Sequence, residues 1–580
     1  MNVTDTMATM PLVVTNSFSR KREAFSPLNP ERVRFYSCGP TVYDDAHIGN
    51  FRSFLAADIL RRWIESPLCE IQFKSGAVHR GPRTVIQVMN ITDVGHMTDD
   101  ESADGSGEDK MAVAGRRLAE AKKAGMLPAG VSVDPTDPYA IAAFYAARFL
   151  EDARRLGLKV AIDAVADPTL MPRASAHVPG MISTIQRLID RGHAYAVGEP
   201  GAQVVYFDVR SFPSYGRLSG NTLESLVAGK GGRVSEENQS AKRHPADFLL
   251  WKADPSHVMK WDSPWGAGYP GWHIECSVMS HERLVNSEGL CDDLMPGAEP
   301  LIDIHSGGED NIFPHHECEI AQSCCAFNED PDQGTFARLW FHPRFLLVEG
   351  EKMSKRKGTF ITARQLFEQG HDPAAVRLEL VKTHYRSNAN FTEQGLHDSA
   401  RMVERWRRMR LDLARRAVAW REHDTRLVSM HFNDAFARCM HDDLNVAGAI
   451  GHINSALNVY MSYDIDRAKL PDWSDAETEQ MISQRDSFPI TRQPIDVFEH
   501  VEPVLSVLQL ERQHAIESEI GIFASGIDPD PDVVALLEAR RDARTARDFA
   551  RSDHIRDELA AMGYAIKDVP GGKVEVTRAR

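Results

Sequence analysis

The sequence holds 580 residues, 42% of them hydrophobic and 26% charged, with a formal net charge of -16. Such a length exceeds one ordinary domain and such a composition is globular, so several domains are expected; the acidic balance argues against coating nucleic acid through an overall field while leaving room for a local basic surface. No run of about 18 apolar residues occurs and the N-terminus lacks a basic-then-apolar signal pattern, which predicts a cytoplasmic chain that does not enter a membrane.

Val33 and Phe35 read as a short buried strand, and Phe51, Leu55, Ile59 and Trp63 form an apolar stripe at helical spacing. The stretch between them, Tyr36-Ser-Cys-Gly-Pro-Thr-Val-Tyr-Asp-Asp-Ala-His-Ile-Gly-Asn50, is therefore a strand-to-helix crossing, where backbone N–H groups and the helix dipole make a phosphate site. His47 and Asn50 lie three apart on one face of the first turn and can reach the same anion. A histidine in this place can equally cap the helix, and Cys38 can be a buried thiol. Thr84 to Thr92 reads as a second strand ending at Asp93. Strand, helix and strand in that order predict a parallel α/β sheet with ligands at the carboxyl ends of its strands, which would bring Asn90, Thr92 and Asp93 near Cys38. Met97 to Lys110 is acidic and rich in glycine and serine, as surface loops are.

From about Pro138 the pattern turns helical, over Tyr139 to Leu156 and Met181 to Gly192, followed by a strand at Gln203 to Val209 and a polar loop at Gly229 to Ser240. This block reads as an insertion, with the α/β texture resuming at Asp247 to Lys252 to complete the sheet. Two further stretches carry chemistry: Gly268-Tyr-Pro-Gly-Trp-His-Ile-Glu-Cys-Ser277, and Asp303 to Glu319 with its Phe-Pro-His-His-Glu-Cys-Glu end. Pro314 suits a helix start, and His315 and Glu319 then stand at i and i+4, able to hold one ion from one rigid turn. The eight irregularly spaced cysteines make no disulfide framework. Cys38 and Cys276 would instead add two thiolates to His315 and Glu319, a plausible four-coordinate zinc set. The spacing is no zinc-finger pattern, and an ion pair beside a core thiol fits the same residues. A fourth stretch, Glu351 to Thr359, follows the apolar strand Phe345 to Val348 and gathers Lys352, Lys355, Arg356 and Lys357, a local positive charge suited to phosphates.

Taken together, His47-Ile-Gly-Asn50 resembles the HIGH signature, and Lys352-Met-Ser-Lys-Arg356 the KMSKS signature, of class I aminoacyl-tRNA synthetases. The cysteine-bearing segments around Cys38, Cys276 and His315 look like those of cysteinyl-tRNA synthetases in particular, in colinear order from about Val33 onward. The resemblance implies an α/β fold: a Rossmann-like parallel-sheet catalytic domain with an inserted subdomain, then an α-helical bundle and a small C-terminal α+β domain. The expected layout is a catalytic first half at 1–125, an insertion at 126–240, a second half at 241–340, a stem-contact region at 341–400, a tRNA-binding bundle at 401–515 and an anticodon-recognition domain at 530–580.

Carried over residue by residue, the resemblance assigns one Zn2+ to Cys38, Cys276, His315 and Glu319, and makes Thr92, Trp272 and His305 the remaining walls of the cysteine pocket. Zinc would select the cysteine thiol over the serine hydroxyl, so no editing domain is needed. The implied reaction forms cysteinyl-adenylate from L-cysteine and ATP, then transfers cysteine to tRNA(Cys). His47, Asn50, Lys352 and Lys355 would neutralise phosphate charge, with Mg2+ on the ATP; Gly49, Gly307, Gly308, Asp310 and Lys355 would meet the nucleotide. A monomer is expected.

Asparagine in HIGN, arginine in KMSKR, the long acidic loop at 97–110 and the segment 284–301 depart from the family pattern and bear on adenylation rate. A related cysteine ligase that acylates an aminosugar shares the core but should lack the region from Met402 to Arg580. There, Arg405, Arg407, Arg408, Arg410, Arg415 and Arg416 suit a phosphate backbone, although a solvated face reads the same way. Asp464 to Pro494 reads as a connector, Gly526 to Asp532 as a linker, and the tail from Val533 as an arginine-rich helix followed by a hairpin over Ala565 to Val576.

Overall fold

The structure, a computed structural model, describes residues 10–73, 75–96, 108–124, 133–227, 241–286, 301–328, 334–353, 359–417, 422–462, 470–483, 493–508, 510, 516–517, 521–523, 531–546, 548–568 and 574–578. Four strands, β1 (Arg32–Ser37), β2 (Thr84–Met89), β3 (Ile302–Ser306) and β4 (Ala337–Phe341), form a parallel sheet in the order β4-β3-β1-β2. Parallel strands need cover on both faces. Their side chains accordingly divide between two cores, one holding Val33, Phe35 and Leu339, the other Tyr36, Val88 and Trp340. Helix α1 (Ile48–Ile64) follows β1, starts on His47 and buries Phe51, Leu55, Ile59 and Trp63; Pro67 lies just beyond its end. Helices α2 (Trp272–Leu284) and α3 (His315–Phe327) pack against each other.

β2 ends three residues before Thr92, because the Ile91 N–H turns to Pro172 O and the Thr92 N–H to Pro40 O. The segment Asp247 to Lys252 does not complete the parallel sheet. Phe248–Ala253 instead joins an antiparallel sheet with Ala194–Val197, Val204–Phe207 and Gly268–Pro270, which crosses the boundary expected at 240; the parallel sheet resumes only at β3. A short run of buried apolar residues fits either kind of sheet, so periodicity could not separate them.

Beyond β4, β5 (Leu346–Val348), β6 (Glu351–Lys352) and β7 (Ala389–Phe391) make a small sheet in the order β6-β5-β7. The helices Glu393–Ala417, Glu422–His441, Val446–Ser462 and Gln493–Leu505 follow and pack together. Inside the expected connector lies a helix, Asp475–Ser483, whose Met481 and Ile482 cover Leu411 and Ala414. Arginines expected to face phosphate are largely engaged within the chain: Arg407 pairs with Asp372, Arg410 with Glu479, Arg415 with Asp475 and Arg416 with Asp412, and Arg405 donates to Asn458. The C-terminal helix is two, Pro531–Thr545 and Phe549–Ala561, and the hairpin Tyr564–Asp568 with Val574–Arg578 extends to strands Gly521–Phe523 and Ile516–Glu517. Much of the acidic loop, the loop at 229–240, most of 284–301, Arg547, most of the linker and the residues Lys355, Arg356 and Lys357 lie outside the described residues. Among those described, no helix is long and apolar enough to cross a membrane.

Candidate active site and metal centre

β1 and β3 run in register to Ser37 and Ser306, and the chain leaves β1 at Cys38, whose N–H donates to Ser306 O at 2.9 Å. At Gly39 a Cβ would overlap the Asn90 carbonyl, so the turn lies directly against the end of β2; its N–H donates to Asn90 Oδ1 at 2.8 Å. Cys38 is thereby fixed at the carboxyl edge of the sheet. The first turns of α2 and α3 reach the same point.

Ligand atoms of Cys38, Cys276, His315 and Glu319 all lie within 4.8 Å of one another, and all four residues are buried. Cys38 Sγ is 3.9 Å from Cys276 Sγ and 3.6 Å from Glu319 Oε1, which is 3.1 Å from His315 Nε2. His315 Nδ1 meets His273 Nδ1 at 2.9 Å, which turns Nε2 toward the cluster, and Trp272 stacks on the His315 ring with centroids 4.3 Å apart. A second set of four, Cys38, His305, His316 and Glu319, shares two of these groups. His316 Nε2 is 3.2 Å from Cys38 Sγ, and its Nδ1 meets His342 Nε2 at 2.7 Å. His273, His316 and His342 were missed by sequence reasoning. The doublet at 315–316 was a signal for His316, while His342 carried none.

Electrostatics favour a cation here. Burial pushes the Cys38 thiol well above its ordinary range and also raises Cys276, while burial holds His315 well below its ordinary value. Glu319 Oε2 is buried without a hydrogen bond, and among the described residues only histidines lie within ion-pair distance of this carboxylate. Two sulfurs, an imidazole and a carboxylate left without a lysine or arginine suit a divalent metal with borderline-soft preferences.

At the start of α1, His47 and Asn50 form a reciprocal cap. The Asn50 N–H donates to His47 Nδ1 at 3.1 Å and the His47 N–H to Asn50 Oδ1 at 3.2 Å. The cap thus engages the two residues that the sequence reading expected at an anion, and it leaves Nε2 to carry the proton of a neutral His47 ring and the Asn50 side-chain amide free to donate. The basic loop meets this turn from outside: a Cβ on Gly49 would overlap Met353 Cε, the Phe360 ring stands edge-on to His47 at 5.2 Å, and the Ile48 N–H donates to Ile361 O at 2.9 Å.

Residues 24–401 match the model of the class I (C) tRNA synthetase catalytic domain, and residues 528–575 that of the cysteinyl-tRNA ligase anticodon binding domain. The chain is 37% identical over 579 residues to the cysteine–tRNA ligase of Salinibacter ruber, covering 96% of each. The cysteine–tRNA ligases of Chlorobium luteolum and Thermus thermophilus are each 36% identical, over 97% of this chain and 98% of their own lengths. This chain belongs to the class I cysteinyl-tRNA synthetase family.

Both signature-like stretches of this family member fall within the matched catalytic span. Of the other residues singled out in the sequence, Thr92 Oγ1 accepts from Asn90 Nδ2 at 3.0 Å, and His305 Nε2 is 3.6 Å from Cys38 Sγ. Gly308 caps the short helix Glu309–Ile312 and sits beside Ser53 of α1; a Cβ on Gly307 would crowd the His316 ring at 2.6 Å. Asp310 lies in that short helix, and Lys352 is exposed in β6 with its ammonium 5.1 Å from the Phe345 ring centroid. The cap gives a test specific to the HIGN variant. Asn50→Ala should destabilise the protein by about 1 kcal/mol through the lost cap, read as a lower thermal midpoint, and should slow adenylation as well. An unchanged midpoint would mean that the reciprocal bonds contribute nothing.

Proposed function

We propose that this chain activates L-cysteine with ATP and attaches it to tRNA(Cys), with Zn2+ held by Cys38, Cys276, His315 and Glu319. The observation that supports this is the buried cluster at the sheet edge, where two sulfurs, an imidazole and a carboxylate offer ligand atoms within 4.8 Å of one another. When bound, the zinc supplies a soft ligand position that prefers the thiolate of cysteine to the hydroxyl of serine. Trp272, Thr92 and His305 wall the amino acid pocket. The start of α1 offers the His47 imidazole and the Asn50 amide to the phosphates of magnesium-bound ATP, with Gly49 permitting close approach. Gly307, Gly308 and Asp310 meet the nucleoside, and Lys352 and Lys355 bring positive charge to the departing pyrophosphate. No side-chain nucleophile takes part; the protein orients the cysteine carboxylate toward the α-phosphate and stabilises charge. The bundle at 401–515 and the domain at 530–580 hold the tRNA, and the chain works as a monomer.

Transfer to an aminosugar is not favoured, since the chain carries an anticodon-domain match at 528–575 that such a ligase would not need. The deciding assay incubates enzyme, cysteine and ATP with a tRNA(Cys) transcript or with glucosamine-type acceptors. Acylation of the tRNA alone is expected. Acylation of the aminosugar alone would overturn the assignment.

A further inference from the structure

Arg52 stands two residues past Asn50 in α1, 1% exposed, and among the described residues no carboxylate lies within ion-pair distance of it. Its guanidinium is satisfied by carbonyls alone. Nε donates to Arg344 O at 3.2 Å, Nη1 to Leu380 O at 2.7 Å, and Nη2 to His384 O at 3.2 Å and Ser387 O at 2.8 Å. A fully buried arginine without a counter-ion is costly to desolvate, and burial lowers its pKa to about 10. Four donors in one planar fork recover part of that cost, a geometry that lysine cannot reproduce.

The carbonyls it holds are placed for a purpose. Arg344 lies two residues before β5 and Ser387 two residues before β7, the parallel pair on which β6 and Lys352 are built. The two connections are also tied to each other, by Arg344 N–H to Tyr385 O at 2.8 Å and Ala389 N–H to Phe345 O at 3.2 Å. The other end of the basic loop docks directly on the start of α1, through Ile48 N–H to Ile361 O and the bridge between His47 and Thr362. Thus both roots of the loop at 352–360 are referred to the same helix, one just before Asn50 and one just after it.

We propose that Arg52 is a positioning residue for adenylation: it fixes the strand pair carrying Lys352 at a set distance from the His47–Asn50 turn, so that both ends of the triphosphate site keep one geometry. The inference rests on the ATP-dependent activation proposed above. Arg52 itself does not touch substrate, and it stands apart from the metal cluster, so its role separates kinetically from cysteine selection.

The test is Arg52→Lys in the full-length enzyme, assayed by cysteine-dependent ATP–pyrophosphate exchange and normalised to bound zinc. The expected result is normal zinc content, a KM for cysteine within about twofold of the unmodified enzyme, and a kcat lower by about tenfold or more with a raised KM for ATP, as misplacement on the scale of 1 Å produces. Combined with Lys352→Ala, the two losses should be non-additive, because Arg52 acts through that strand. A merely structural arginine would lower the thermal midpoint and the active fraction while leaving both KM values and the kcat per zinc-loaded enzyme unchanged, and that result would overturn the proposal. If Arg52→Lys yields no folded protein, hydrogen exchange on the unmodified enzyme decides: ATP should slow exchange in both 346–352 and 380–387, and protection of the first without the second would refute the link. Absence of exchange in the unmodified enzyme would overturn the activation reading itself, whereas normal exchange in Arg52→Lys would overturn only the role of Arg52.

Discussion

Cys276→Ser is expected to lose its metal and to lower cysteine-dependent ATP–pyrophosphate exchange by at least about 100-fold, since even an outer partner of a metal ligand commonly contributes 10- to 100-fold. Serine is nearly isosteric, but its hydroxyl stays protonated and is a harder ligand than a thiolate, so the donor set of Cys38, Cys276, His315 and Glu319 falls to three. Cys318→Ser is the matched control. That thiol is equally buried and adjacent to Glu319 in sequence, yet it faces Tyr215 OH at 3.5 Å and takes no part in the cluster. It should keep both metal and exchange. Metal content by elemental analysis and exchange rate on the same preparations check the pair. Full metal retention by Cys276→Ser would move the ion to the overlapping set of Cys38, His305, His316 and Glu319.

The largest expected stability effect lies away from the chemistry, at Asp58. This fully buried carboxylate in α1 takes Arg62 at 2.7 Å and Arg377 at 2.6 Å on Oδ2, and the Lys159 N–H at 2.7 Å on Oδ1. Arg377, also fully buried, donates in addition to Leu505 O, Leu156 O and Gly157 O, so one ion pair joins the sheet-covering helix to the end of the helical bundle. Asp58→Asn leaves Arg377 charged and unpaired in the interior, which should destabilise the fold by about 3–5 kcal/mol, read as a lower denaturant midpoint. Burial alone would push the Asp58 carboxyl up, but Arg62 and Arg377 more than offset it and hold the group at about 2 against an ordinary 3.8. A depressed carboxylate stabilises the native state above the unfolded value and loses that contribution as pH falls through the folded one. About 2 kcal/mol of stability should therefore vanish between pH about 4 and about 2 in the unmodified protein. The same window should be flatter in Asp58→Asn; an identical acid profile would mean that the ion pair contributes no net stability.

Much of this arrangement was legible in the residues, for reasons that differ from place to place. β1 and α1 were readable because a buried apolar strand and an uninterrupted stripe at Phe51, Leu55, Ile59 and Trp63 flank the crossing. The i, i+4 pairing of His315 and Glu319 was readable because Pro314 marks the helix start, and the pair does meet at 3.1 Å. Phe248–Ala253 was not, since its burial pattern fits a parallel or an antiparallel neighbour equally well and the choice depends on distant strands. The partners of the arginines of Glu393–Ala417 were hidden for a related reason: charge spacing shows where side chains stand on a helix, but not that Asp372, Glu479 and Asp475 arrive from elsewhere to meet them. His316 and Arg52 were equally hidden. Their partners are a sulfur, a histidine and four carbonyls up to 335 positions away, none visible at local spacing.

Under the proposed function, a metal-bearing pocket at the sheet edge selects cysteine for activation by ATP. Pyrophosphate exchange on the zinc-loaded full-length enzyme, run with cysteine and with serine in parallel, tests it most directly. Exchange with cysteine, none above background with serine, and loss of the cysteine signal on chelation are the predicted results. Equal exchange with both amino acids, or cysteine exchange undiminished after the metal is removed, would contradict the account.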